Sequence, residues 1–159
     1  MNIPVVQPQP HTRREFCAHV CQAASMLALG TVAACGGSST SPSTSAPPLA
    51  SVTASVTGRI VSITVDAASA LAAVGSAASV QTSLGTFLVA HTAPNSFTAL
   101  TATCTHEGCT ITGFTGSQFA CPCHGSQFTT SGAVAQGPAS RALQQFPTTF
   151  TNNVLTFSA

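Results

Sequence analysis

Two short groups of cysteine and histidine lie in the second half of the sequence. The first group, from Cys104 to Cys109, reads C-T-H-E-G-C, and the second, from Cys121 to Ser126, reads C-P-C-H-G-S. Each group offers a thiolate and an imidazole at a spacing typical of a tight turn, so two loops could hold one metal centre between them. A fold that uses both groups must bring the two loops to the same place.

The candidate metal ligands are two cysteines and two histidines: Cys104, His106, Cys121 and His124. This donor set suits a mixed cluster in which sulfur binds one iron and nitrogen binds the other, and two neutral imidazoles in place of thiolates make such a centre easier to reduce. The same side chains also suit a tetrahedral zinc ion. Zinc would leave Cys109 and Cys123 unexplained, whereas a pair of structural disulfides would leave both histidines without a role.

The chain carries very few charges, which excludes several classes of function. Charged residues make up 4% of the 159 residues, and lysine is absent. Without a basic stripe to neutralise phosphates, we expect no nucleic-acid partner. After residue 55 the only carboxylates are those of Asp66 and Glu107, and there is no phosphate-binding loop or catalytic triad. Any turnover of a substrate is therefore expected to belong mainly to a partner protein.

The first 35 residues are predicted to be an export signal. Arg13 and Arg14 precede an apolar stretch over residues 23–34, which resembles a twin-arginine signal. That stretch is shorter than the roughly 20 apolar residues needed to cross a bilayer. The residues V-A-A-C that end at Cys35 resemble a bacterial lipobox. We therefore expect an exported protein that is anchored to the membrane through lipid on Cys35, with its domain on the periplasmic or extracellular side.

Residues 36–54 are predicted to form a flexible tether. This segment is rich in serine, threonine and proline and has few residues that could be buried. Such a composition favours a solvated linker over a packed structure. The folded domain is accordingly predicted to span residues 55–159.

The pattern of residues 55–159 predicts an all-β domain. Val61, Ile63 and Val65 alternate with polar residues, as in a strand with one buried face. Further strands are predicted at 87–90, 97–103, 119–120, 143–146 and 154–157. The pair at 152–153 is Asn-Asn, which suits a two-residue hairpin. Residues 67–73 are predicted to be a loop or one helical turn, and His91, at a strand end, an ordinary surface histidine.

The two boxes, C-T-H-x-G-C and C-P-C-H-G-S, resemble the paired cluster-binding boxes of the Rieske iron-sulfur protein family, and only Glu107 stands at a variable position. The resemblance implies an all-β, Rieske-type fold of small antiparallel sheets with two cluster-binding loops, and a 2Fe-2S cluster as cofactor. It also implies that Cys104 and Cys121 bind the inner iron, whereas His106 and His124 bind the solvent-facing iron.

The same resemblance implies roles for residues around the cluster. Cys109 and Cys123 would form a disulfide between the loops, which marks the high-potential branch found in quinol-oxidising complexes. Ser126 would donate a hydrogen bond to a cluster sulfide, although a hydroxyl in a turn also commonly caps local backbone. Gly125 would lie beside it, and the G-P-A sequence around Pro138 resembles the proline loop that covers the cluster from a third side.

Two positions depart from the common family pattern. Phe128 stands where high-potential relatives often have a tyrosine that donates a hydrogen bond to a ligand sulfur, so a lower reduction potential is expected. Glu107 stands where an apolar residue is common and quinol docks. A carboxylate there weakens the case for a quinol-oxidising partner, or it is a solvated side chain without a role.

The resemblance implies one-electron transfer through the cluster to or from a redox partner protein. The preferred interpretation is the iron-sulfur component of a membrane-associated quinol-cytochrome c type oxidoreductase, with a cytochrome or a quinol-oxidising subunit as partner. An alternative is the small electron-transfer subunit of a periplasmic oxidase similar to arsenite oxidase. A third is a zinc-binding structural module.

Overall fold

A computed structural model describes residues 46–159, which form three small sheets and contain no helix. The strands are β1 Ala50–Val52, β2 Ser55–Thr57, β3 Ile60–Thr64, β4 Ala77–Thr82, β5 Gly85–Ala93, β6 Ser96–Thr101, β7 Gly113–Phe114, β8 Gln118–Ala120, β9 Gln127–Thr129, β10 Val134–Gln136, β11 Gln145–Phe146, β12 Thr148–Thr151 and β13 Val154–Ser158. The prediction of an all-β fold built from small antiparallel sheets is confirmed. No helix within residues 46–159 is long and apolar enough to cross a membrane.

The central sheet has the order β1-β4-β5-β6-β11, and both of its faces are buried. On β5, Phe87 and Val89 face one hydrophobic core, whereas Leu88 and Ala90 face a second core on the opposite side. Successive side chains of a strand point to opposite faces, so a strand between two cores needs apolar residues at every position. This explains why the F-L-V-A run shows no alternation in the sequence.

The first core lies between the central sheet and a four-stranded sheet of order β12-β13-β3-β2. Val61 and Ile63 of β3 are fully buried there, and the serine between them is not, as their alternation predicts. β12 and β13 are joined by Asn152 and Asn153, which have φ values of 51° and 60°. Asparagine tolerates this left-handed backbone, so the predicted two-residue hairpin is confirmed.

The second core carries the cysteine and histidine groups. It lies between the central sheet and a four-stranded sheet of order β10-β9-β8-β7. Phe119 of β8 and Phe128 of β9 are direct neighbours across the strands, and both are fully buried. Cys104 and Cys121 belong to the same core, so the packing of these phenylalanines fixes the base of both loops.

Residues 46–54 differ from the predicted tether, because they are part of the fold. β1 pairs in parallel with β4, and Leu49 N donates to Thr112 O at 2.8 Å. Backbone groups can pair whatever the side chains are, so a Ser/Thr-rich composition did not reveal this strand. Gly113 accommodates the segment, since a Cβ there would lie 2.8 Å from Ala46 Cβ. The predicted signal, the lipidation site Cys35 and residues 36–45 of the tether lie outside the described residues.

His91 is buried, so the prediction of a surface position is wrong. Only 8% of its surface is exposed, and its ring stacks on Phe97 with the centroids 4.2 Å apart. Its Nδ1 lies 2.8 Å from the carbonyl of Leu71 and donates to it, since a carbonyl can only accept. The segment of residues 67–73 is a loop, as predicted, and this contact holds it against the central sheet.

Gly132 connects the sheet of the second core to the central sheet and offers a test of this packing. It has a φ of +86°, and an added Cβ would lie 3.0 Å from Leu100 Cδ2 and 3.3 Å from Leu143 O. We expect Gly132→Ala to lower the free energy of unfolding by about 2–3 kcal/mol through backbone strain and overpacking. Gly75→Ala is the matched control, because Gly75 has a φ of +88° and open space around it. It should lose only about 1 kcal/mol. Equal losses in urea unfolding would contradict the packing argument.

Candidate metal centre

The first cysteine-histidine loop is closed by two backbone hydrogen bonds. Cys104 N donates to Cys109 O at 2.8 Å, and Gly108 N donates to Cys104 O at 2.9 Å. Gly108 has a φ of +77°, a conformation that side chains with a Cβ rarely adopt. The glycine of the first box therefore permits the turn that returns the chain beside Cys104.

The second loop repeats this pattern with different side chains. Cys121 N donates to Ser126 O at 2.8 Å, and Gly125 N donates to Cys121 O at 3.1 Å. Gly125 has a φ of +75°, close to that of the glycine in the first loop. The two loops therefore share one backbone design, in which a buried cysteine begins the turn and a glycine four residues later completes it.

A disulfide between Cys109 and Cys123 ties the two loops together, with their Cα atoms 6.5 Å apart. This is the pairing that the family resemblance implies. The disulfide crosses from one loop to the other, so the loops are held side by side independently of any bound metal.

The other two cysteines of the boxes lie on the inner side of the loops. Cys104 and Cys121 are free thiols with 2% and 1% of their surface exposed. Burial raises the pKa of the Cys121 thiol, and the neighbouring Cys104 raises it further. A metal is bound by the thiolate, so metal binding at Cys121 must release the thiol proton. Because burial favours the protonated thiol, it opposes this release.

The two histidines lie on the outer side. The side chains of His106 and His124 are 28% and 47% exposed, and their ring centroids are 5.0 Å apart. Glu107 lies beside both, with carboxylate oxygens 4.0 Å from His106 Nε2 and 3.8 Å from His124 Nδ1. The contact of Glu107 with His124 joins residues of different loops and was not evident from the sequence.

The arrangement separates sulfur donors from nitrogen donors. Among the described residues, the ligating atoms of His106, Glu107 and His124 lie within 4.8 Å of one another, and neither Cys104 nor Cys121 belongs to that group. Cys121 instead lies beside the sulfurs of the Cys109–Cys123 disulfide, which are not available as ligands. A single zinc ion with bonds of about 2.0–2.3 Å would draw its thiolates and imidazoles into one compact group. A cluster of two irons with sulfur ligands on one and nitrogen ligands on the other fits this separation better.

Ser126 contacts the segment that follows Pro138. It is fully buried, and its Oγ accepts a hydrogen bond from Ala139 N at 3.0 Å. The adjacent Pro138 is exposed, so the backbone of the proline loop, and not its ring, makes this contact. The hydroxyl proton of Ser126 remains free to donate elsewhere. Ala139 was missed in the sequence, because nothing local indicates that its N–H reaches a serine in the other box.

The first loop has a further anchor that the sequence did not reveal. Thr105 Oγ1 donates to Arg141 O at 2.6 Å. Both residues line an open groove of about 580 Å³ that runs beside His106 and Glu107. The threonine of the first box therefore fixes the loop to the chain segment that follows the proline loop.

Comparisons with known proteins agree with this fold and with a 2Fe-2S cofactor. The family model described as "Rieske [2Fe-2S] domain" matches residues 62–147, more than half of the chain. The matching family is a class of small all-β domains that bind a 2Fe-2S cluster. The chain belongs to the Rieske [2Fe-2S] domain family, and the 2Fe-2S cluster is its cofactor.

Several relatives are iron-sulfur subunits. The chain is 43% identical over 60 residues to the cytochrome b6-f complex iron-sulfur subunit of Synechococcus sp. (strain JA-2-3B'a(2-13)), which covers 37% of this chain and 35% of the relative. It is 51% identical over 45 residues to the corresponding subunit of Prochlorococcus marinus (strain AS9601), over 28% of this chain and 25% of the relative. The matches thus span only about a third or less of these relatives.

Among solved structures, the chain is similar to the cyanobacterial plasma membrane Rieske protein PetC3 from Synechocystis PCC 6803. The identity is 32%, the TM-score is 0.47, and the match covers 51% of this chain and 84% of that chain.

The disulfide provides a test of how the loops are held. It closes a segment with a sequence separation of 14 residues. We expect the double variant Cys109→Ala/Cys123→Ala to lose about 3 kcal/mol of unfolding free energy, measured by urea titration of the cluster-free protein. A thiol reductant should destabilise the unmodified protein by a similar amount and leave the double variant unchanged. A variant as stable as the parent would show that the loops do not depend on this bond.

Proposed function

We propose that this chain carries single electrons through a 2Fe-2S cluster bound by Cys104 and Cys121 on the inner side and by His106 and His124 on the outer side. The observation that carries the proposal is the separation of buried thiols from exposed imidazoles on two disulfide-linked loops. The cluster, when bound, accepts and releases one electron at a potential that imidazole ligation raises.

The chain's own residues shield the inner side of the centre from water and leave its outer side open to a redox partner. Phe119 and Phe128 pack with the two thiols in the second core and exclude water from the inner side. The edges of His106 and His124 are the exposed donor groups, so a redox partner can approach the centre closely there. Electron exchange is therefore expected at the tip formed by the two loops.

Ser126 is proposed to favour the reduced state of the centre. Its Oγ already accepts from Ala139 N, which orients the hydroxyl and leaves its proton for an acceptor. A donor aimed at the cluster or its ligands stabilises the additional negative charge and raises the potential. Phe128 has no such donor, so this chain lacks the hydrogen bond that a tyrosine would provide.

The partner is proposed to belong to a membrane-associated quinol-cytochrome c type oxidoreductase. The disulfide and the local similarity to cytochrome b6-f iron-sulfur subunits support this assignment. Glu107 favours the alternative, a small subunit of a periplasmic oxidase similar to arsenite oxidase, because its carboxylate lies at the tip where quinol would dock. Co-purification from native membranes distinguishes them: a cytochrome b supports the first assignment and a molybdenum enzyme the second.

The N-terminal segment is proposed to attach the domain to the outer face of a membrane. The twin-arginine-like sequence and the V-A-A-C sequence ending at Cys35 support export followed by lipid attachment. The mass of the mature protein tests this directly, because a lipidated chain begins at Cys35 and carries the added diacylglycerol.

Substitution of the proposed ligands tests the cluster assignment. Anaerobic reconstitution should give about two iron atoms per chain and the visible absorption and paramagnetic resonance spectra of a mixed-ligand cluster. Cys121→Ser and His106→Ala should each abolish both spectra, because each removes one ligand. Glu107→Gln is the control at the same tip, and it should retain iron and both signals. A colourless, iron-free parent protein would refute the proposal.

Substitution of Phe128 tests the hydrogen bonding around the centre. We expect Phe128→Tyr to raise the midpoint potential, and a hydrogen bond of roughly 1 kcal/mol corresponds to roughly 40 mV for one electron. Phe157→Tyr is the matched control, because Phe157 is also buried but lies in the first core. Its potential should stay at the parent value in the same redox titration. An unchanged or lower potential for Phe128→Tyr counts against the assignment.

A further inference from the structure

The tip of the domain carries three metal-binding side chains, of which the proposed cluster uses only two. The ligating atoms of His106, Glu107 and His124 all lie within 4.8 Å of one another. The Glu107 carboxylate is 4.0 Å from His106 Nε2 through one oxygen and 3.8 Å from His124 Nδ1 through the other. All three side chains are partly exposed, so an ion can reach them from solvent.

Two imidazoles and one carboxylate form a donor set that suits divalent first-row metal ions. Zinc takes this set with bonds of about 2.0–2.2 Å and leaves a fourth position for water. Ligand atoms around such an ion lie roughly 3.3 Å apart. The two carboxylate–imidazole distances must shorten by roughly 0.5–0.7 Å, and the distance between the imidazole nitrogens, at most 4.8 Å, by up to roughly 1.5 Å. Rotations of exposed side chains can make movements of this size.

A disulfide holds the loops that carry these three residues together whether or not a cluster is bound. The disulfide between Cys109 and Cys123 joins the loop of His106 and Glu107 to the loop of His124. Within residues 46–159, the basic side chains with a nitrogen within 4.0 Å of the Glu107 carboxylate are the two histidines. Arg141 lines the same groove but forms no ion pair with Glu107. The carboxylate is therefore free to complete a site with the two imidazoles.

We propose that, before the cluster is inserted, His106, Glu107 and His124 bind a divalent first-row cation such as Zn²⁺, with water as the fourth ligand. This site differs from a tetrahedral zinc site of two cysteines and two histidines, because it uses no thiol. A second part rests on the proposed function: bound Zn²⁺ blocks insertion of the cluster, since both need the same two imidazoles.

Titration of the cluster-free protein with Co²⁺ and Zn²⁺ tests the ligand set. Co²⁺ should give weak visible bands without the intense near-ultraviolet band of a cobalt-thiolate bond. Glu107→Gln should weaken Zn²⁺ binding at least tenfold in competition with a chromophoric chelator. The double variant Cys104→Ser/Cys121→Ser should bind Zn²⁺ as tightly as the parent protein.

Three outcomes overturn the site. A cobalt-thiolate band, or loss of Zn²⁺ binding in a double cysteine variant whose circular dichroism matches that of the parent, assigns the ion to the cysteines instead. Equal affinities of the parent and Glu107→Gln remove the carboxylate from the ligand set. His106→Ala provides an independent check on the result with Glu107→Gln. If the site is correct, removal of this imidazole must also weaken Zn²⁺ binding.

Reconstitution with and without Zn²⁺ tests the competition. A stoichiometric amount of Zn²⁺ should slow the appearance of the cluster spectrum in the parent protein and slow it less in Glu107→Gln. Equal rates in the parent with and without Zn²⁺ overturn the competition but leave the electron-transfer proposal intact. Failure to form a cluster even in zinc-free protein overturns the proposed function instead, so the two failures are distinguishable.

Discussion

Burial of both faces of the central sheet is the constraint on which the rest of the domain depends. Along β5, alternate side chains enter two different cores, so the same strand joins the supporting sheet to the sheet that bears the site. The second core contains Leu88 and the two free cysteines, Cys104 and Cys121. The thiols are thus part of the hydrophobic packing. The close packing of the core therefore fixes the start of each loop.

The two loops place thiols on the buried side of the site and imidazoles on its exposed side. Each begins with a buried cysteine and reverses at a glycine with positive φ, so the residues between them project outward. The imidazoles of His106 and His124 are therefore more exposed than the thiols behind them. A centre bound in this way would be insulated on one side and accessible on the other, as an electron carrier requires. Ser126 joins the second box to Ala139, the residue after Pro138, through one buried hydrogen bond.

Glu107 distinguishes this tip from an apolar one. A carboxylate next to two imidazoles places charge at the surface proposed for docking of a redox partner, and charge of this kind affects partner choice more than affinity. The same carboxylate also gives the cluster-free domain a donor set for a divalent cation. Both consequences arise from one exposed side chain whose contacts extend to both loops.

The sequence by itself determined the features that depend on local spacing. The two boxes identified the candidate ligands, the alternation around Ile63 identified a strand, and Asn152-Asn153 identified a hairpin, because each signal lies within a few residues. Only the tertiary structure decided that residues 47–52 pair with strands of the domain, that His91 is buried and that Glu107 lies between both histidines. These features are contacts between segments distant along the chain, and such contacts form only when the packing of the whole domain brings the segments together.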